Sequence, residues 1–317
     1  MKNYLIILAT LFVSLFALTS CDDDDEGSGS GSTSAGMIGK DLRLSAVGGI
    51  SFYYDKQGRL ESIDTRSDDY EFSYNPGKIT YDDGYADVTY TGKGYLASSK
   101  ESYKDEESWG YEAGDVSYTF SYDGNGHLTK ISMTEKVTIK EDGEKDTYTN
   151  TMTATITWKS DMIQKVVYDE KDDDGDRYIE TWTFEYDKKN KEDYYNKYCQ
   201  YAPSVIFWAD AADSFYGMAY VGMMGKGPLY LPSACEIEEV EIENGDKDTY
   251  TRSKSFSYSF NSDGTLSQAY YDGSRYSYSY SDVDSSSDSR KAPFWNPLYP
   301  QKQKRHGLFG CHLRQMK

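Results

Sequence analysis

Apolar and polar residues alternate along short stretches through the middle of the chain. Between Val116 and Tyr122 the apolar side chains occupy every second position, and Ser or Thr lies between them. A period of two is that of a half-buried β-strand. The same alternation of aromatic with Ser, Thr or Glu residues recurs over residues 181–186, 255–260 and 276–280. The pattern predicts aromatic-rich strands whose aromatic face forms the core.

A short motif occurs four times in the chain: an aromatic residue, Gly four positions later and Leu six positions later. The copies are Tyr54, Gly58, Leu60; Tyr90, Gly94, Leu96; Tyr122, Gly126, Leu128; and Phe260, Gly264, Leu266. Asp or Asn follows the aromatic residue in three copies, which favours a turn, and glycine tolerates the positive φ that hairpin turns require. The motif therefore predicts that these four glycines are structural turn residues and that each strand reverses into its neighbour.

Successive hairpins predict an all-β fold, an antiparallel meander that closes into a barrel or forms a strongly curved sheet. Closure removes the exposed strand edges that a long meander would otherwise leave. Acidic insertions at residues 104–107, 141–146 and 171–176 are expected to be long hairpin tips. An EF-type calcium loop around Gly175 would need a bidentate Glu where Thr181 stands, so no metal site is predicted.

The segment near residues 201–231 breaks the alternation. It carries apolar residues from Val205 to Trp208 and from Phe215 to Met224, punctuated by Gly217, Gly222 and Gly225. Their spacing allows a short helix that packs inside or caps the sheet, and Asp210 and Asp213 disfavour a membrane span. Its Met and aromatic side chains would either fill the core or line an adaptable binding groove.

Residues 1–20 have the pattern of a secretory signal peptide, with Lys2 before an apolar run from Leu5 to Leu18. The residues up to Cys21 match the bacterial lipobox, so Cys21 is the predicted lipidation site and the mature N-terminus. Acyl chains contribute about 0.8 kcal/mol per buried CH₂ group, enough together to hold a domain on a membrane. The predicted partner at this end is thus a membrane, reached through an N-terminal palmitate-type lipid.

Residues 21–36 are predicted to be a tether, with a run of acids from Asp22 to Glu26 followed by a Gly/Ser tract. The acidic run resembles the signal that sends lipoproteins of Bacteroidota to the outer face of the outer membrane. This resemblance implies a lipid-anchored protein of the outer membrane that faces the cell exterior.

Composition supports one large β domain. The chain has 317 residues, 32 of them Tyr and 7 Pro, and a net charge of −19. Residues 3–289 hold 26 basic and 53 acidic residues, a net charge of −27, which disfavours nucleic acid as a partner. We expect a single barrel-like domain over residues 37–289.

The motifs together resemble a Bacteroidota lipoprotein family, a domain of unknown function described as having a porin-like fold. The central residues that match are Gly222, Gly225, Lys226 and the run from Leu231 to Ser233, and the hairpin motifs match over about residues 45–282. The resemblance implies a barrel and brings no catalytic residue. The run from Tyr54 to Leu60 is also similar to a single YD-repeat hairpin.

Neither a true porin nor an enzyme is indicated. Lipid-facing strands need nine to eleven residues with an apolar outer band, whereas these faces are rich in tyrosine and the strands look shorter. The three histidines are His127, in a hairpin turn, and His306 and His312, near the C-terminus. No nucleophile elbow, phosphate loop or dinucleotide fingerprint is present. We therefore expect no catalytic residue and no cofactor.

Two further features concern the cysteines and the tail. An exported protein permits a disulfide between Cys199 and Cys235, and the alternative is two separate buried thiols. Residues 290–317 hold seven basic and no acidic residues, in contrast to everything before them. This region is expected to be a disordered tail or a reading-frame artefact, and the functional alternative is a basic tail that touches the membrane. It contains Cys311, which has no predicted partner.

The function stays open between two classes. One is a surface-exposed binding module for a glycan or a protein, and the other is a structural or accessory envelope protein without a small-molecule ligand. A row of exposed Tyr and Trp on one rim would favour binding, because such rings stack on sugars and capture partners.

Overall fold

The computed structural model describes residues 35–38, 41–65, 68–81, 84–107, 110–141, 144–206 and 213–283. The predicted signal peptide, Cys21, most of the tether, Cys311 and the basic tail lie outside the described residues.

The described chain folds into β-strands with little helix. The strands are β1 Met37–Ile38, β2 Leu42–Val47, β3 Ile50–Tyr54, β4 Leu60–Asp64, β5 Asp69–Tyr74, β6 Gly77–Tyr81, β7 Gly84–Tyr90, β8 Leu96–Glu107, β9 Gly110–Tyr122, β10 Leu128–Glu141, β11 Glu144–Lys159, β12 Met162–Lys171, β13 Arg177–Glu185, β14 Ala234–Glu243, β15 Asp246–Ser255, β16 Ser257–Phe260, β17 Leu266–Tyr271 and β18 Ser274–Asp282.

The strands form an antiparallel meander that nearly closes into a barrel. Each strand from β2 to β14 pairs with the next along the chain, and β18 pairs with β2. The barrel has one seam, where β15 runs into β16 through Phe256: β15 forms its ladder with β14, and β16 forms its ladder with β17. The predicted meander and barrel are confirmed.

The barrel wall is much taller on one side. Strands β8 to β11 have 12 to 16 residues, whereas β2 to β7 have 5 to 7. At about 3.3 Å per residue, β11 is about 53 Å long and β6 about 17 Å. We call β8–β15 the tall wall, and β2–β7 with β16–β18 the low wall.

The aromatic face of the strands forms the core, as predicted. On β9, Val116, Tyr118 and Phe120 are buried, whereas Thr119 and Ser121 are exposed. The largest fully buried side chains come from strands all around the barrel, and they include Leu44, Leu60, Ile79, Leu96, Leu128 and Met152. Because both faces of each strand follow the period of two, the wall presents a polar outer side and an apolar inner side.

A non-strand segment fills one end of the barrel. It runs from Tyr186 to Ser233 and contains two 3₁₀ turns and the helix α1, Asp213–Tyr220. Val205, Ile206, Met218 and Met224 of this segment are buried in the core. The helix and its packing were predicted, although the non-strand segment begins earlier than residue 201. We call residues 186–206 and 213–233 the plug.

Backbone hydrogen bonds join the plug to the hairpin turns at the same end. The amide of Leu96 donates to the carbonyl of Met223, and the amide of Lys226 donates to the carbonyl of Gly126, at 2.8 and 2.9 Å. The amide of Gly36 donates to Val221 at 2.8 Å, so the described chain begins here. We call this the plug end, and the opposite end, which carries the turns after β8, β10, β12 and β14, the far end.

No helix among the described residues combines the length and the apolar character that crossing a membrane requires.

Candidate functional site

The glycines of the repeated motif lie in the turns of the plug end. Gly58, Gly94, Gly126 and Gly264 have φ between +76° and +91°, a region that side chains with a Cβ rarely adopt. In the turn after β9, the Asp123 carboxylate accepts the amides of Asn125 and His127 at 2.9 Å each. These contacts satisfy the turn locally and fix where the next strand begins.

Aromatic side chains near the plug end have a role that the sequence did not reveal. Tyr hydroxyls and the indole N–H of Trp158 donate to backbone carbonyls at or near the plug-end start of a neighbouring strand, and two of the donors, Tyr54 and Tyr122, are the aromatic residues of motif copies. The seven bonds are Tyr54 to Leu44, Tyr74 to Leu60, Tyr122 to Leu96, Trp158 to Leu128, Tyr186 to Ile163, Tyr258 to Pro232 and Tyr280 to Leu266, at 2.6 to 3.0 Å.

These bonds account for the Leu of the motif as well. Leu60, Leu96, Leu128 and Leu266 bury their side chains completely, while their carbonyls accept an aromatic donor from the neighbouring strand. Tyr90 differs, because its hydroxyl is buried with no hydrogen-bond partner in the structure. Tyr90 lies in β7, and the neighbouring strand β6 begins after the tight Asn75–Pro76 turn rather than after a copy of the motif. Strand β6 therefore has no motif Leu whose carbonyl could accept the Tyr90 hydroxyl.

Carboxylates line the inner face of the tall wall above the apolar core. Glu101, Val116, Glu135 and Asn150 are directly paired across β8 to β11 and so project from the same face. All four are buried, and Asn150 donates to Glu135 at 3.0 Å. Buried carboxylates are costly unless they accept hydrogen bonds.

Tyrosine hydroxyls supply most of these hydrogen bonds. Tyr81 donates to Glu101 and Tyr103 donates to Glu135, both at 3.0 Å. Further round the wall, Tyr168 donates at 2.9 Å to Glu170, whose side chain is only 1% exposed. This polar layer of Glu and Tyr side chains closes the core on the side of the far end.

One arginine joins the last three strands of the tall wall. Arg252 of β15 contacts Glu180 of β13 at 3.1 Å and also pairs with Glu239 of β14. Burial raises the pKa of the Glu180 carboxyl above its usual range, and the Arg252 charge opposes that rise. Glu180 is thus poorly solvated as an anion, and Arg252 is the cation that holds it in place.

Strand β15 has the longest run of exposed residues of any described strand. Every residue from Asp246 to Ser253 is exposed, and Tyr250 has 54% of its surface in solvent. Among the described strands, the ladder of β15 is with β14 alone. An edge strand of this length offers its amides and carbonyls to another chain.

The β14–β15 turn determines which groups of β15 face outwards. Asn244 and Gly245 both have positive φ, at 52° and 87°, as in a two-residue type I′ hairpin. The flanking pair Glu243–Asp246 is then hydrogen bonded, and alternate residues follow the same rule. The amides of Lys247, Thr249, Thr251 and Ser253 therefore point away from β14.

Acidic residues surround this edge. Residues 234–248 hold seven carboxylates and one lysine, and residues 169–177 hold six carboxylates and two basic residues. Both stretches belong to hairpins of the far end. The edge of β15 and the far-end hairpins therefore form a surface of negative potential that favours cationic partners.

The predicted cysteine pair lies in the core. Cys199 of the plug and Cys235 of β14 are both buried. Burial raises the pKa of the Cys235 thiol to about 11, which keeps it protonated and unreactive at neutral pH. The disulfide between them stays a prediction.

His127, the histidine that a serine triad could have used, serves the turn instead. It is buried against Trp158, with ring centroids 4.2 Å apart. Its Nδ1 lies 3.1 Å from Asp123 and its Nε2 lies 3.3 Å from Asp161. These contacts join the turn after β9 to the turn after β11.

Two other features bear on a binding site. A depression of about 360 Å³ at the plug end is lined by Asp55, Arg59, Tyr74 and Asn75 among others. Within the described ranges, no three His, Cys, Asp or Glu side chains come together as metal ligands. The β15 edge and its acidic surroundings are thus the surface with the clearest chemistry for a partner.

The chain is similar to solved structures of other proteins, but it matches no protein-family model and no curated sequence. A porin-like protein from Bacteroides vulgatus ATCC 8482 has a TM-score of 0.45 at 12% identity, over 73% of this chain and 92% of that one. A porin-like protein from Bacteroides uniformis ATCC 8492 has a TM-score of 0.43 at 17% identity, over 76% and 95%.

Proposed function

We propose that this protein is a lipid-anchored, surface-exposed module of the outer membrane that captures an extended, basic segment of a partner protein along β15. The lipid on Cys21 would hold the barrel at the membrane, and the far end would present the binding edge. The observation that carries the proposal is the edge of β15, which is long, regular and exposed from Asp246 to Ser253.

Backbone pairing would supply the affinity. An extended peptide that adds to a sheet edge gains main-chain hydrogen bonds, and pockets or charges beside the edge select its side chains. The outward amides of Thr249 and Thr251 lie at the centre of the edge, between Lys247 and Ser253. The incoming strand would therefore pair first with the middle of β15.

Charge would supply the selectivity. The hairpin that contains the edge carries seven carboxylates and one lysine over residues 234–248, so Lys or Arg side chains on the incoming strand would meet an acidic surface. Such attraction speeds association and rejects acidic competitors. Exposed Tyr250 offers an aromatic ring to an alkyl or cationic side chain of the partner.

The same edge has a plainer interpretation, in which its charges simply prevent aggregation. Natural proteins protect edge strands with Lys, Pro or bulges, and Lys247 and Arg252 would serve that purpose. The centre of the edge, however, is Thr249, Tyr250 and Thr251, three residues with high strand propensity and no charge. This composition favours pairing.

Binding of a defined peptide tests the proposal. The probe is a fluorescently labelled twelve-residue peptide of alternating Lys and Thr, mixed with the chain from residue 22 onwards, and polarisation reports binding. An alternating Glu and Thr peptide is the control for charge. We expect the Lys peptide to bind saturably and the Glu peptide not to bind, and the affinity to fall as salt is raised.

A proline variant separates backbone pairing from charge. Thr251→Pro removes an outward amide without removing a β14 ladder bond, and Thr251→Ala keeps that amide. Loss of a central main-chain bond of about 1.4 kcal/mol corresponds to tenfold weaker binding. We expect about tenfold weakening for T251P and less than twofold for T251A, with thermal melts confirming that both variants fold.

Three results would overturn the proposal. Equal affinity of both variants would mean that charge alone holds the peptide and that the edge is not used. Binding to a panel of cell-surface glycans, without binding to the Lys peptide, would favour the glycan module. Absence of binding to either by a folded sample would favour a structural or accessory envelope protein.

The anchor and its address rest on the sequence pattern around Cys21. Growth of the producing cells with radiolabelled palmitate should label the wild-type protein but not a Cys21→Ser variant. Protease added to intact cells should then degrade the wild-type protein if it faces the exterior. Labelled protein that resists protease until the outer membrane is broken would place it on the periplasmic side.

A further inference from the structure

A second surface lies at the plug end and differs from the far end in charge and in its content of Tyr and Lys side chains. It is formed by residues 187–198 together with Tyr230, and we call it the Tyr–Lys face. Its four lysines, Lys188, Lys189, Lys191 and Lys197, are all exposed. Its acids are Asp187, Glu192 and Asp193, so the segment is slightly basic in a strongly acidic protein.

Tyrosines and lysines of this face are arranged in pairs. Tyr195 is 38% exposed and packs beside Tyr230, with ring centroids 5.4 Å apart, and an antiparallel bridge joins the two residues. The Lys191 ammonium lies 4.0 Å from the centre of the Tyr230 ring, and the Lys197 ammonium lies 4.8 Å from that of Tyr198. The rings are therefore held at the surface rather than buried.

The face is anchored firmly to the barrel. Asn196, between Tyr195 and Lys197, is fully buried and donates from its side chain to the carbonyls of Gln200 and Pro228 at 2.7 Å each. Lys197 also donates to the carbonyl of Asp263 in the turn after β16, at 3.2 Å. These hydrogen bonds fix the backbone that carries the Tyr and Lys side chains of the face.

The start of the chain emerges at this end of the barrel. The amide of Gly36 donates to the carbonyl of Val221 of the plug at 2.8 Å, and thirteen residues, 22–34, lie between Cys21 and Ala35. A flexible chain of that length has a root-mean-square span of about 20 Å, and repulsion among its five acids extends it further. A lipid on Cys21 would therefore keep the plug end, rather than the far end, close to the membrane.

Tyrosine and lysine are suited to the boundary between lipid and water. Tyr rings with a polar tip are enriched at headgroup depth, and Lys extends its ammonium towards headgroup phosphates. A tether raises the local concentration to the millimolar range, so weak contacts are enough to set an orientation. The acidic far end would at the same time be repelled by anionic headgroups.

We propose that the Tyr–Lys face rests on the surface of the bilayer, with phosphate-bearing lipid headgroups as its ligands. The barrel then stands with its tall wall pointing away from the membrane and the β15 edge open to partners. This inference rests on the lipid anchor of the proposed function but not on the peptide binding of β15.

Fluorescent labels at the two ends test the orientation. The lipidated full chain carries Cys311→Ser together with either Lys189→Cys at the plug end or Lys247→Cys at the far end, each labelled with nitrobenzoxadiazole. The proteins are reconstituted into vesicles of phosphatidylethanolamine and phosphatidylglycerol, 3:1, doped with a lipid that bears a nitroxide on its headgroup. The nitroxide quenches only fluorophores that come into contact with the headgroups.

We expect at least twofold quenching of the label at residue 189 and none at residue 247. Replacing the exposed Tyr195 ring and the half-buried Tyr230 ring beside it, in Tyr195→Ser combined with Tyr230→Ser, should reduce the quenching at residue 189. Tyr270→Ser, which removes a ring of similar exposure from the barrel wall, should leave the quenching unchanged.

The possible failures are distinguishable. Protein that sediments with the vesicles but shows no quenching at residue 189, or equal quenching at both residues, overturns the orientation and leaves the anchor intact. Protein that does not sediment with the vesicles refutes the anchor, and the orientation fails with it. Neither result bears on peptide binding to β15, which is measured without lipid.

Discussion

At the scale of single residues, the repeated motif is a device for closing the plug end. Its glycine turns the chain, its Leu fills the core, and the carbonyl of that Leu accepts a hydrogen bond from a Tyr or Trp side chain of the neighbouring strand. Each copy therefore contains a backbone acceptor that an aromatic side chain satisfies. A barrel built of many hairpins gains from such bonds, because a buried carbonyl without a donor is costly.

The hydroxyl bonds lead to a prediction with an internal control. Tyr122→Phe leaves the Leu96 carbonyl without its donor, which should cost about 1 to 2 kcal/mol and lower the melting temperature by about 2 to 8 °C. Tyr90→Phe removes a buried hydroxyl that has no partner, so it should leave stability unchanged or raise it. Thermal melts of both variants check this, and equal losses would contradict it.

At the scale of elements, the tall wall combines a stable base with an exposed, charged upper part. The lower halves of β8–β15 pack on the core through residues such as Tyr118, Met152, Trp182 and Ile237. Higher up, the inner face carries carboxylates held by Tyr, Asn and Arg252. We infer that this polar layer separates the core from the surface where a partner would bind.

The environment of Glu180 predicts a dependence of stability on pH. Its pKa is raised in the folded state, chiefly by burial, so its contribution to stability is present below its unfolded pKa and is lost as pH rises through the folded pKa. Glu180→Gln carries no charge to bury. We therefore expect the free energy of unfolding of E180Q, relative to wild type, to increase between pH 4 and pH 7.

Urea denaturation at several pH values measures this difference. Glu238→Gln, which removes an exposed carboxylate from β14, controls for the general loss of negative charge. The contrary result is a free energy of unfolding of E180Q, relative to wild type, that stays constant or falls between pH 4 and pH 7. That result would show that the Arg252 contact outweighs the cost of burying the Glu180 carboxylate.

At the scale of the whole molecule, charge is distributed unequally between the two ends. Residues 169–177 and 234–248 of the far-end hairpins together carry a net charge of −10, whereas the Tyr–Lys face of the plug end is slightly basic. Mutual repulsion of the acids opposes folding at low salt. The same distribution makes the two ends of the barrel different. It fits the two proposals, in which the plug end contacts lipid headgroups and the far end binds a basic partner.

Salt should therefore stabilise the whole domain. We expect the melting temperature to rise between 10 and 300 mM NaCl, because ions screen exposed charges within about 10 Å at 0.1 M. An equal concentration of glycine, which is zwitterionic at neutral pH, is the control for solute effects. A fall in the melting temperature would mean that ion pairs such as Arg252–Glu180 contribute more than the repulsion opposes.

Local patterns in the chain are enough to predict the strands, the turns and the meander. The alternation around Tyr118 and the glycine of each motif are local properties: side chains alternate along any strand, and positive φ favours Gly wherever it occurs. The helix in the central segment was also predicted, because its apolar spacing does not fit a strand. The acidic insertions were predicted to lie between strands as long hairpin tips, but residues 104–107 and 144–146 belong to β8 and β11, and residues 172–176 lie between strands.

Contacts between residues that are distant in the sequence are seen only in the tertiary structure. That Tyr122 donates to Leu96, and that Tyr81 and Glu101 share a hydrogen bond, depends on strand register and on the stagger of neighbouring strands. The closure of β18 on β2 and the exposed edge of β15 depend on relative strand lengths around the whole barrel. Such contacts are set by the sum of many packing energies, and no local pattern in the chain records that sum.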